Sequence, residues 1–199
     1  MNIKKSILWL VSVLFLLPLV ITSCEENDGL VNPYGDWKNR NQLYIDSIAE
    51  VAFANPDEWK IIHTYQFPEP TDPLASKLVK DYVYCKVLES GDGISPFYTD
   101  TVSVNYRGQL IPLLEGTVVT FDQSYRGELN KDVAIPRTFG LGVNLIAGWN
   151  IALQHMREGD RWQVYIPSEL GYGLAGYNNI PGYSTLCFDI HLVKVISNR

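Results

Sequence analysis

Apolar and polar positions divide the chain into three textures. The first begins with Lys4 and Lys5, continues through the almost wholly apolar run SILWLVSVLFLLPLVI, and ends at the small residues TSC. A basic start, an apolar core and small residues before a cut describe a secretory signal peptide over residues 1–23. The run approaches membrane-spanning length, so an uncleaved anchor is the alternative; Pro18 inside it favours cleavage. The second texture covers residues 24–80. Here GDWKNRNQLYIDSIAEVAFANP sets Trp37, Tyr44, Ile45, Ile48, Val51 and Ala52 on one stripe of a helix over about 36–54. Asp36 is placed to cap it and Asn55-Pro56 to stop it. FPEPTDPLAS follows, with Pro68, Pro70 and Pro73, and reads as an extended linker.

The third texture, residues 81–199, has strand periodicity. DYVYCKVLE ends at the turn SGDG, and TDTVSVNYRGQL alternates Val102, Val104 and Tyr106 on one face. RWQVYIP and STLCFDIHLVKVI are rich in β-branched and aromatic residues. Between them, IAGWNIALQHMREGD carries Trp149, Ala152, Leu153 and Met156 on one helical side, closed by Gly159. Four or five strands and one short helix predict an α+β domain with an antiparallel sheet. The stripe of the earlier helix would pack on this domain, pair with a second copy as a homodimer, or dock a client.

Charge narrows the partners. The chain has 16 basic and 22 acidic residues; without Lys4 and Lys5 the mature chain of 176 residues carries 14 minus 22, or −8. An acidic chain without a basic run is a poor match for nucleic acid. ITSC is similar to a bacterial lipobox, which implies lipid on Cys24 and a membrane tether that does not span. Glu25, Glu26 and Asp28 after it form a solvated tether or an export signal. An oxidising compartment would permit a Cys85–Cys187 bridge, although both cysteines fall in strand-like segments.

The run GYGLAGYNNIP contains G-x-G-x-x-G at Gly171, Gly173 and Gly176. A dinucleotide loop needs a strand before it and a helix after it, and YNNIPGYS is turn chemistry. No cofactor is implied. His63, His155 and His191 are scattered, so no metal site is expected. There is no G-x-S-x-G elbow, and Cys187 has no basic neighbour in sequence to activate it.

What remains is a series of aromatic and apolar residues at strand ends and turns. Tyr106/Gly108, Phe121/Asp122/Ser124, Phe139/Leu141/Gly142, Ile146/Gly148/Trp149, Met156/Gly159, Ile166/Pro167/Tyr172/Gly173, Ile180/Pro181 and Leu186/Phe188/Asp189 occur in that order. Over about residues 81–196 this set resembles the FKBP-type peptidyl-prolyl cis-trans isomerases. The resemblance implies an antiparallel half-barrel sheet of about five strands wrapped round one short helix, with an N-terminal helical appendage. It implies a bowl with Trp149 as floor, and Tyr106, Phe121, Leu145, Ile146 and Phe188 as walls. Tyr172, Tyr177 and Ile180 would sit on or beside a loop over the rim, with Asp122 held among the aromatics. The implied activity is rotation about X-Pro bonds of exported proteins in the cell envelope, outer membrane included, with no covalent intermediate. A non-catalytic peptide-binding or chaperone lipoprotein is the alternative. It is kept open by Arg137, which stands where the family usually has an aromatic and would open or charge one side of the bowl.

Overall fold

The computed structural model describes residues 32–64 and 79–197. The expected signal peptide, Cys24 and the proline-rich segment fall outside the described residues. From Pro33 onward the described residues form one compact unit. It contains helix α1 (Trp37–Ala54), strand β1 (Trp59–His63), β2 (Tyr82–Glu89), β3 (Thr101–Leu110), β4 (Thr120–Gln123) and β5 (Arg137–Gly140). Helix α2 (Ala147–His155), β6 (Arg161–Ile166) and β7 (Leu186–Ile196) complete it.

All pairings are antiparallel, in the order β1-β2-β6-β7-β3-β4, with β5 also on β3. Strands β4 and β5 therefore share one edge of β3. β5 pairs with its first half, Thr101 to Val104, and β4 with its second, Arg107 to Gln109. Tyr106 lies at the junction, where its N–H donates to Ser124 Oγ (2.9 Å) and its carbonyl accepts from Ser124 N–H (2.8 Å). The sequence pattern counted about five strands; β1 and the four-residue β4 and β5 make seven.

Alternation splits the sheet into two apolar faces. Val83, Cys85, Val102, Val104, Trp162, Val164, Ile166, Phe188, Ile190 and Leu192 pack toward α2, which contributes Trp149, Ala152 and Leu153, with Met156 just past its end. Tyr82, Tyr84, Trp59 and Tyr165 face the other way and meet Ile45, Ala49 and Ala52 of α1. The helices thus cover opposite faces of one sheet. The α1 stripe is packed on its own domain; Val51, expected in the stripe, is 47% exposed, and Asn41 is buried in it instead. Asp36 adopts a left-handed conformation (φ 51°) and makes no side-chain cap; its carboxylate accepts from Asn39 Nδ2 at 3.0 Å.

The two faces also decide the cysteines. Cys85 is opposite Val164, and Val164 opposite Phe188; Cys187 is opposite Tyr165. Cys85 and Cys187 thus sit on opposite faces with β6 between them, roughly 10 Å apart at about 4.8 Å per strand. A disulfide needs Cα atoms within about 7 Å. Both thiols are free.

Candidate active site

Five rings assemble where β3, β4, β5, β7 and α2 meet. Trp149, near the start of α2 and 4% exposed, takes Tyr106, Phe139 and Phe188 edge-on, at centroid distances of 5.1, 5.4 and 5.3 Å. Phe121 stands edge-on to Phe188 at 5.5 Å. Edge-to-face packing suits ring quadrupoles and leaves ring faces free to line a space. Gly108 is what lets two of these rings close on β3. A Cβ there would lie 2.6 Å from Phe188 Cε1 and 2.7 Å from Phe121 Cζ.

The rings enclose a cavity of about 390 Å³, within the roughly 300–1,000 Å³ of small-molecule sites. All ten bowl and rim residues expected from the sequence line it: Tyr106, Phe121, Asp122, Leu145, Ile146, Trp149, Tyr172, Tyr177, Ile180 and Phe188. Phe139, Asn144, Asn178 and Asn179 complete the lining. Phe139 belongs to the F-x-LG run of the ordered set; the three asparagines carry no signal beyond their turns. Among the described lining residues there is no Ser, Cys, His, Lys or Arg. The cavity offers ring faces, phenols, amides and one carboxylate.

Arg137 does not enter the lining. It lies two residues before Phe139 on β5, opposite Val104, and reaches across to the polar edge of the bowl. Its guanidinium donates to Tyr106 Oη (2.8 Å), Asp122 Oδ1 (3.1 Å) and the Gln123 carbonyl (3.1 Å). Tyr106 Oη in turn donates to Asp122 Oδ2 at 2.6 Å. Burial, and then the Asp122 hydrogen bond, push the Tyr106 phenol well above its ordinary range. The expected open or charged wall is therefore a clamp, in which the cation is paired with the site's carboxylate.

The rim is the loop after β6. Tyr172 and Tyr177 stack at 5.1 Å with an interplanar angle of 14°; Tyr177 is exposed and Ile180 buried. The Tyr172 hydroxyl has no hydrogen-bond partner among the described residues, and burial raises its pKa, so it stays protonated as a donor. Gly176 (φ 72°) allows the turn: a Cβ on it would be 2.2 Å from the Ile180 carbonyl oxygen. The Ile180 N–H already donates to Tyr177 O at 2.9 Å, and Tyr177 N–H returns a bond of 3.0 Å to Ile180 O. By contrast Ile146, the residue before α2, accepts from Trp149 and Asn150 N–H through its carbonyl. Its own N–H donates to no group among the described residues.

Residues 94–193 match the family described as FKBP-type peptidyl-prolyl cis-trans isomerase. Over 112 residues the chain is 42% identical to peptidyl-prolyl cis-trans isomerase Mip of Coxiella burnetii, covering 55% of this chain and 43% of that protein. It is 42% identical over 111 residues to FkpA of Escherichia coli (55% and 36%), and 38% identical over 111 residues to outer membrane protein MIP of Legionella longbeachae (55% and 42%). The matched part spans less than half the length of these relatives. The crystal structure of E. coli FkpA superposes with a TM-score of 0.58 at 30% identity, covering 83% of this chain and 63% of that one. A peptidyl-prolyl isomerase from Pseudomonas syringae gives 0.54 at 25% identity, covering 84% and 99%.

Proposed function

Because this chain belongs to the FKBP-type peptidyl-prolyl cis-trans isomerase family, we propose that it catalyses rotation about X-Pro bonds of exported polypeptides. The observation that carries this reading is the ring-lined cavity of about 390 Å³, open at a tyrosine-bearing rim and with no Ser, Thr, Cys, His or Lys among its described lining residues.

Amide resonance sets a barrier of roughly 18–20 kcal/mol to this rotation. No bond is made or broken, so neither a nucleophile nor a proton donor to a leaving group is needed. In the twisted amide, resonance is lost and the carbonyl is less polar than in the planar form. A cavity walled by Tyr106, Phe121, Phe139, Trp149 and Phe188 withholds water from the planar state and favours the twisted one, which is differential binding of the transition state. A thousandfold acceleration requires only about 4 kcal/mol of such preference. The proline ring rests on Trp149, and the carbonyl is oriented by the Tyr172 hydroxyl and a backbone N–H. Ile180 N–H is engaged by Tyr177 O; the free N–H of Ile146, also in the lining and at the positive end of α2, is the better placed donor. Arg137 and Tyr106 both hydrogen-bond the Asp122 carboxylate, so it polarises the wall without transferring a proton.

Lipid on Cys24 would hold the enzyme in the cell envelope, and no helix among the described residues is long and apolar enough to cross a membrane. A homodimer through α1 would have to use its outer face, where Leu43, Val51 and Phe53 are exposed; light scattering at micromolar concentration reads this directly. The second functional reading is a peptide-binding chaperone without turnover. A proline-peptide isomerisation assay separates the two. We expect wild-type protein to exceed the spontaneous rate and Phe121→Ala to lose most of that excess. Peptide binding with only the spontaneous rate would favour the chaperone.

A further inference from the structure

Three consecutive residues just after the rim loop are gripped by α1, a helix that lies outside the family-matched residues 94–193. Trp37 Nε1–H donates to Ser184 Oγ (3.0 Å), and Ser184 Oγ–H donates onward to the carbonyl of Pro181 (2.6 Å). The Asn41 side-chain carbonyl accepts from Thr185 N–H at 2.7 Å, and its main-chain carbonyl accepts from Thr185 Oγ1 at 3.2 Å. The Lys38 ammonium sits 4.7 Å from the centre of the Tyr183 ring. Tyr183 itself is held in a left-handed conformation (φ 63°), which a non-glycine residue keeps only when its surroundings impose it. Asn41, Ser184 and Thr185 are all at most 3% exposed.

Buried polar side chains in the middle of an apolar stripe weaken packing unless their bonds are needed. Here three bonds run from α1 to the stem of the loop that bears Ile180 and the Tyr172–Tyr177 stack. We propose that α1 is a brace for this loop: through Trp37 and Asn41 it fixes Ser184, Thr185 and the Pro181 carbonyl, and so sets how tightly the cavity holds its peptide. Trp37 and Asn41 are positioning residues, acting on Ile180 through the loop stem without lining the cavity. The kinetic consequence rests on the isomerase reading; the mechanical one does not.

The test uses Ser184→Ala and Trp37→Phe, singly and together, in the full chain. Loosening the rim weakens ground and transition states alike, so KM should rise about tenfold with kcat within about twofold. A purely structural defect would lower the active fraction, reducing apparent kcat with KM unchanged, and would overturn the proposal. Because the two side chains share one bond, the double variant should lose no more than the worse single variant; additive losses would also contradict it. Amide hydrogen exchange gives an arm independent of turnover. Exchange at Tyr177, Ile180 and Tyr183, whose N–H groups are bonded within the loop, should quicken in both variants while β3 and β7 amides stay protected. Unchanged loop exchange would refute the brace. A wild type that binds and exchanges as described but shows no turnover would remove the isomerase reading alone.

Discussion

At the scale of single residues, the proposed mechanism separates groups that shape the hollow from groups that would touch a carbonyl. Tyr172 belongs to the second kind. Its hydroxyl has no partner among the described residues, and Tyr172→Phe should lower kcat/KM by about three- to tenfold, the value of one modest neutral hydrogen bond of about 1 kcal/mol, without moving the melting temperature. Gly108 belongs to the first. In Gly108→Ala the new methyl meets Phe121 and Phe188 at 2.6–2.7 Å, and overpacking of this sort costs about 1–3 kcal/mol, so peptide affinity and denaturant midpoint should fall together. Arg137 and Asp122 are each about half exposed (53% and 49%), which limits their pairing to at most about 1 kcal/mol of stability. Arg137→Met should therefore leave the fold intact and act on turnover, through an unpaired carboxylate in the wall. His191 reports on pH. It is 7% exposed, and burial, then Lys131, lowers its pKa. The unfolded chain takes up that proton first, near pH 6.5, so stability is lost as pH falls below that value. A thermal melt series from pH 8 to 5 should show this decline, and His191→Gln should flatten it.

At the scale of elements, much was visible in the pattern and some was not. Four long strands and both helices follow from alternation or a 3.6-residue stripe, because each has a face buried over several turns or pleats. Strand β1 is not visible in the pattern because five residues between Asn55-Pro56 and a proline-rich stretch carry little of it; its place is set by pairing with β2. Asn41 falls outside the apolar stripe because periodicity treats an amide as solvent-facing, whereas this one is buried and accepts the Thr185 N–H. For a related reason the pattern does not show which backbone N–H is already bonded, as that of Ile180 is to Tyr177 O; this depends on the fold of the loop. The burial of α1 makes a prediction. Ile45 is 3% exposed against the sheet, so Ile45→Ala should cost about 2–5 kcal/mol and shift a single cooperative urea transition read by tryptophan fluorescence and circular dichroism alike. A detachable helix would leave the transition of the sheet where it was.

At the scale of the whole molecule, one sheet serves two purposes. Its inner face, with α2, opens into the cavity, and its outer face, with α1, supports the loop at the rim. The bowl was legible because the chemistry-bearing aromatics recur in a fixed order, and the structure brings all ten expected residues round one space. What could not be read was how Arg137 would point, since position on a strand gives a side chain's face and not its partners. The claim that unifies the account is that a dry, ring-lined hollow eases an amide through its twist without any group that gives or takes a proton. The most direct test is the solvent deuterium isotope effect on kcat/KM for a proline peptide, measured across pH 6 to 9. Tyr106 and Tyr172, both held neutral by burial, would not titrate there, so the profile should be flat and the isotope effect about 1. A bell-shaped profile with an isotope effect of about 2 or more would signal proton transfer in the rate-limiting step and contradict the account.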